Sequence, residues 1–235
     1  MDSEGFDLAV RFLTPVLGTQ PQRDIAVEHV QNLIGAAAAQ QARQQVGLPD
    51  VAEGLEDELA TLPDQAEELT RGTTAFHRLD DGTRLLYDYM LKGFLKEAGQ
   101  KFNGLRNVKN LRSKVESFVF IRPRRIPLRL PRAGETIRQL MDDDQPSTVT
   151  LEAAGEITYL SRPLRAATAM GPRVSIARSE LLPAGTSFVC RLEVIKGPIK
   201  EELLRDLLDY GYYQGLMQWR TGGWGRFEYD LKAQP

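Results

Sequence analysis

The chain is 235 residues long, 42% hydrophobic and 26% charged, enough to bury a real core as one compact unit or as two interlocked small ones. Its single cysteine, Cys190, excludes an internal disulfide framework and any cysteine-built zinc site. No apolar run approaches the roughly 20 residues of a bilayer-crossing helix, and Met1-Asp2-Ser3-Glu4 is acidic where an export signal would be basic, so a cytoplasmic protein with no membrane role is expected.

The net charge of −2 conceals a segregation along the chain. Residues 1–72 carry 4 basic and 13 acidic side chains, residues 73–132 carry 14 and 5, and residues 133–235 carry 12 and 14. A basic middle block can gather a polyanion on one surface of an otherwise acidic protein. Pairing of the acidic segments with the basic ones would satisfy the same pattern.

Phe6, Leu8, Val10 and Phe12 alternate with polar or small residues and predict a half-buried opening strand, ended by Thr14-Pro15 and Gly18. Asp24 to Val46 is alanine- and glutamine-rich and reads as a helix, and residues 47–72 as an acidic, exposed insertion. Thr74–Leu79, Asp80-Asp81-Gly82 and Thr83–Tyr87 predict a hairpin, because Asp-Gly accepts the positive φ of a tight turn. A short helix follows at about Met90 to Phe102. Ser117–Ile121 is a strand candidate running into Arg122-Pro123-Arg124-Arg125, where proline argues for an edge or a loop.

Asp142-Asp143-Asp144 reads as a solvated loop, since consecutive carboxylates point in different directions, and no metal or cofactor is expected. Ser147–Leu151, Glu156–Leu160, Arg173–Ala177 and Thr186–Ile195 are strand candidates, the last with Phe188, Cys190, Leu192 and Val194 on one face. Pro198 opens a helix whose stripe is Ile199, Leu203, Leu204, Leu207 and Leu208. A glycine-rich segment, Gly215 to Phe227, leads to a closing strand. The order predicts an α+β fold of βαββαβ type, with helices on one face of an antiparallel sheet.

The glycine-rich segment lacks the Lys-Ser/Thr ending of a P-loop and follows a helix where a dinucleotide fingerprint follows a strand. It does combine Gly222 and Gly223, which allow close backbone approach to an anion, with Arg220 and Arg226 for phosphate and Trp219 and Trp224 for stacking. Lys92 and Lys96 share a helix face at i, i+4, and Arg122, Arg124 and Arg125 extend a cationic track to which Arg173 and Arg178 could add. Tyr213 offers a further stacking surface.

Three segments resemble the RAMP superfamily, the RNA-binding proteins of CRISPR systems. They are Phe12–Gly18; the hairpin leading into Leu91-Lys92-Gly93-Phe94-Leu95-Lys96; and Leu182–Phe188 with the leucine-rich helix and Gly215–Phe227. Asp88-Tyr89-Met90 stands where that family has small residues. The resemblance implies a ferredoxin-like, RRM-like domain over residues 1–235, with an insertion at about 36–72 and a variable loop region at about 103–147. It implies binding of single-stranded RNA, or of DNA, by its backbone. It further implies a repeated subunit in a CRISPR-like ribonucleoprotein, as a homo-oligomer or beside other subunits. The alternative is a metal-independent endoribonuclease with His77 as general acid or base, aided by Lys92 or Arg84.

Overall fold

The computed structural model describes residues 2–21, 73–142, 158–168 and 171–234. The predicted helix Asp24–Val46, the acidic insertion, Asp143-Asp144 and the candidate strand Ser147–Leu151 lie outside the described residues. The elements are β1 (Ser3–Phe12), β2 (Val16–Leu17), β3 (Gln20–Pro21), β4 (Thr73–Ala75), β5 (His77–Arg78), β6 (Arg84–Tyr87), α1 (Asp88–Lys101), α2 (Leu111–Phe118), β7 (Val119–Arg122) and β8 (Arg125–Pro127). They continue with α3 (Gln139–Asp142), β9 (Thr158–Thr168), β10 (Gly171–Leu182), β11 (Ser187–Ile195), α4 (Glu201–Gln214) and β12 (Phe227–Ala233). The chain divides into two compact units, one of residues 1–17, 83–156 and 182–235, the other of residues 18–82 and 157–181.

The first unit is built on a four-stranded sheet in the order β12-β1-β11-β7, each neighbouring pair antiparallel. Counting these strands along the chain gives 4-1-3-2, with α1 and α2 between the first and second and α4 between the third and fourth. This is the expected βαββαβ order. The alternation in β1 and β11 sets the register: Phe6, Leu8 and Val10 stand opposite Leu192, Cys190 and Phe188, all buried. Burial pushes the Cys190 thiol pKa well up, so it stays an unreactive thiol. β7 is an edge strand, as its following proline suggests.

Helices and sheet are joined through a run of rings. Phe12 of β1 meets Phe188 of β11 at 6.1 Å and Phe227 of β12 edge-on at 6.4 Å. Phe227 meets Phe94 of α1 edge-on at 5.3 Å; Phe94 stacks on Tyr210 of α4 at 6.0 Å, and Tyr210 meets Phe102 at 5.4 Å. Gly211 makes this possible, because a Cβ there would lie 2.0 Å from Cζ of Phe227. On the other sheet face Arg11 pairs with Glu228, Arg122 with Glu193 at 3.4 Å, and Gln234 donates to Asp7 at 2.6 Å. α3 packs over β1 and β11 on the same unit.

In the second unit β9 and β10 form a long antiparallel hairpin, β4 runs parallel to β10, and β3 pairs antiparallel with β4. Glu180 is fully buried there and accepts from the Phe76 amide at 3.0 Å and from Arg78 Nη2 at 2.9 Å, which satisfies the charge.

Gly211→Ala should lower stability by about 1–3 kcal/mol through overpacking against Phe227, although alanine is the better helix former. A reduced urea midpoint with unchanged m-value is the expected result; an unchanged or raised midpoint would show that the helix can move away from β12.

Candidate nucleic-acid interface

α1 brings the predicted cations together, although not all in the role expected of them. Its buried side is Leu91, Phe94, Leu95, Ala98 and Gly99. Helical spacing then aligns Tyr89, Gly93, Lys96 and Gln100 along the outward side. Gly93 is exposed, and a Cβ added to it would meet nothing within 4 Å. Neither packing nor a positive φ requires glycine there, yet it costs about 0.5–1 kcal/mol relative to alanine within a helix.

On one flank of this stripe lie α2 and β7. Lys92 Nζ donates to the carbonyl oxygens of Glu116, at 3.0 Å, and Val119, so this lysine closes the C-terminal end of α2 rather than standing free. Burial lowers its pKa and Lys96 lowers it further, against Glu116 and Asp88, which raise it. Its ammonium sits 5.1 Å from the centre of the Phe120 ring, a ring that is itself 43% exposed. Lys96 pairs with Glu116 at 2.5 Å.

Asp88 opens α1 in the middle of these cations. Its amide donates to the Arg124 carbonyl at 2.9 Å, and its carboxylate accepts from the Tyr89 amide at 2.8 Å. Burial raises the Asp88 pKa, while that amide bond and the charges of Arg124, Lys92 and Arg122 act to lower it. Arg122 and Arg124 are exposed, and the Arg124 guanidinium lies 5.7 Å over the Tyr87 ring, on which Tyr89 stacks at 5.6 Å. Arg125 stands in β8 opposite Tyr87 and is half-buried.

The other flank is the glycine-rich loop, tied to α1 by Glu97, which accepts from Arg220 Nη1 at 2.7 Å and from Gln214 Nε2 at 3.4 Å. The loop closes on itself where the Leu216 amide donates to the Gly225 carbonyl at 2.8 Å. Trp219 is 40% exposed and stacks on Trp224 at 5.9 Å with an interplanar angle of 15°. Met217 and Trp219 hold φ of +74° and +54°, a strained backbone for residues with side chains. The Gly222 and Gly223 amides do not form an anion cradle: they donate to the Trp219 and Arg220 carbonyls at 2.9 and 2.8 Å. Gly222 has no side chain because the Trp219 indole covers it, 2.7 Å from where a Cβ would be. Arg226 is exposed, with its guanidinium beside Gly223.

Two expected cations belong to the second unit. Arg173 stands in β10 opposite Ala166, and the Arg178 guanidinium lies 4.1 Å over the Tyr159 ring. His77 is also in that unit and only 1% exposed. Its imidazole is not presented to a substrate, and in the first unit Arg84 is buried and Lys92 engaged, so this arrangement does not support the endoribonuclease alternative.

The sequence names Gly93 only within the Leu91–Lys96 resemblance and does not mark Tyr89 or Phe120 as candidates; the i, i+4 spacing of Tyr89 and Gly93 and the alternation of Phe120 with Val119 and Ile121 are the signals available. Tyr213, offered for stacking, lines a cavity of about 570 Å³ between α4 and β12 with Asp209, Glu228 and Arg205. The carboxylates there disfavour phosphate. Among the described residues no group of His, Cys, Asp and Glu is arranged to hold a metal ion, and no helix is long and apolar enough to cross a membrane.

No protein-family model and no curated protein matches the chain. Among solved structures it is similar to a chain in the cryo-EM structure of the Type III-B Cmr-beta bound to cognate target RNA, at 9% identity and a TM-score of 0.42. That alignment covers 98% of this chain and 60% of the other, so the chain spans less than two thirds of the length of that chain. It is also similar to a chain of a Type IV-B CRISPR complex, at 10% identity and a TM-score of 0.44, covering 97% of this chain and 90% of the other.

Proposed function

We propose that this protein holds a single strand of nucleic acid, RNA or DNA, by its sugar–phosphate backbone, as a non-catalytic, repeated subunit of a CRISPR-type ribonucleoprotein. The observation that carries the reading is the outward side of α1. Arg122 and Arg124 stand exposed at its start, exposed Tyr89 and Phe120 offer rings, and Gly93 leaves the helix backbone bare between them. Arginines bind phosphate in a charge-assisted fork, aromatic rings stack bases of any sequence, and a missing side chain lets a polymer backbone approach closely. Trp219, on the loop anchored to α1 through Glu97, supplies another ring. The motif resemblance supports the same class of ligand.

Binding of this kind falls steeply with salt, because each neutralised phosphate releases counterions. Arg122→Glu with Arg124→Glu should weaken an unstructured oligonucleotide by about 10-fold or more near 0.1 M salt and reduce the slope of log K against log salt by about 2. Fluorescence anisotropy across a salt series measures both. Wild-type affinity in that variant would exclude the reading.

Gly93→Ala should move stability and affinity in opposite directions. The urea midpoint should rise, corresponding to about 0.5–1 kcal/mol, while oligonucleotide affinity drops. Asp88→Asn removes the negative charge that competes with phosphate among Arg122, Arg124 and Lys92, and should raise affinity several-fold at neutral pH. The wild-type protein should tighten its grip as the pH falls toward the raised Asp88 pKa, and the asparagine variant should lose that dependence.

A further inference from the structure

Residues 101–115 contain Lys101, Arg106, Lys109, Arg112 and Lys114 and no acidic residue. Arg106 is engaged: it pairs with Asp206 of α4, and with Glu202 at 3.6 Å. The other four form no ion pair with a described residue, and Arg112 donates to the neutral Gln100 Oε1 at 2.8 Å. Lys101, Lys109 and Arg112 are exposed.

The connection between α1 and α2, which bears Lys109 and lies between Lys101 and Arg112, is ordered at a cost. Arg106, Asn107 and Asn110 hold φ of +50°, +62° and +54°, and Gly104 holds +91°. Left-handed backbone costs residues with side chains on the order of 1 kcal/mol each. Consecutive turns fix it: Leu105 to the Phe102 carbonyl at 2.9 Å, Asn107 to that of Gly104 at 3.0 Å, and Gly104 to that of Val108 at 3.1 Å. Asn103 Oδ1 accepts from the Leu111 amide at 3.2 Å and docks the loop on the first turn of α2. At Gly99 the backbone of Arg112 comes within 3.2 Å of where a Cβ would be, which brings α2 close against the end of α1. A loop that only needed solvation would relax these angles; this one holds Lys109 between Lys101 at the end of α1 and Arg112 at the start of α2, beside exposed Asn107 and Asn110.

We infer that the α1–α2 connection, with the helix ends that flank it, is a second contact for the same nucleic-acid strand, which therefore runs lengthwise along α1. This rests on the proposed binding function and extends it. The 14 residues of α1 span about 20 Å, from Arg122 and Arg124 at its start to Lys101 and Arg112 at its end, with Tyr89, Gly93, Lys96 and Gln100 between.

The test is anisotropy with an unstructured oligonucleotide of about 20 nucleotides on the full chain. It compares wild type, Lys101→Glu with Lys109→Glu and Arg112→Glu, the same three positions changed to Gln, and the Arg122→Glu/Arg124→Glu variant, with urea midpoints as a folding control. Both loop triples should weaken binding, the charge reversal by roughly 10-fold or more, and should reduce the salt slope by up to about 3. Wild-type affinity in the folded loop triples beside weakened binding in the Arg122/Arg124 variant would overturn the lengthwise path and leave the binding function standing. If the wild type binds no oligonucleotide, the function and the path fail together. Equal loss of poly-glutamate and of the oligonucleotide from the loop triples would overturn the strand assignment in favour of an acidic protein partner.

Discussion

The contact between Phe227 and Gly211 governs the first unit. A closing strand and the helix before it approach so closely that no side chain fits between them, and the Phe227 ring then meets Phe12 of the sheet on one side and Phe94 of α1 on the other. Aromatic rings bury large areas and prefer the edge-on contacts seen here. They therefore fix the rotation of α1 about its own axis. That rotation decides which residues of α1 face outward, and so places Tyr89, Gly93 and Lys96 where a ligand can reach them.

The electrostatics follow from the same placement. A lysine directed at the end of α2 finds two carbonyl oxygens and becomes structural, while Arg122, at the end of the edge strand, and Arg124, just beyond it, keep exposed side chains. Lys92 thus holds the α1–α2–β7 corner together with two of its donors and contributes its charge to the cluster. Asp88 moderates the cluster, and Glu97 does on the opposite flank what Glu116 does on this one, holding a cation against the helix.

Much of the sheet was legible because alternation is a direct consequence of strand geometry: Phe6 to Phe12 and Phe188 to Val194 could only be half-buried strands, and Pro123 marked an edge. The basic block was legible as composition. The division of labour within it was not, because Lys92 is satisfied by carbonyls 24 and 27 residues away, which no local pattern signals. α2 escaped notice because its apolar stripe is only Leu111 and Val115 in eight residues. In sequence the glycines of the final loop offer room for an anion, whereas in the fold Gly222 makes room for Trp219 and its amide is already bonded. Sequence identifies a residue that must be small; only the fold says what occupies the space.

β1 sits between β11 and β12, so each of its pairings joins residues near position 10 to residues beyond 185. Such distant partners carry a large loop-closure cost and favour slow folding. On a ribosome, β1 would wait with both margins bare until β11 and β12 had been synthesised. Its alternating apolar side chains would stay open to other nascent chains throughout that interval, which makes the production of this protein sensitive to crowding and to chaperone supply.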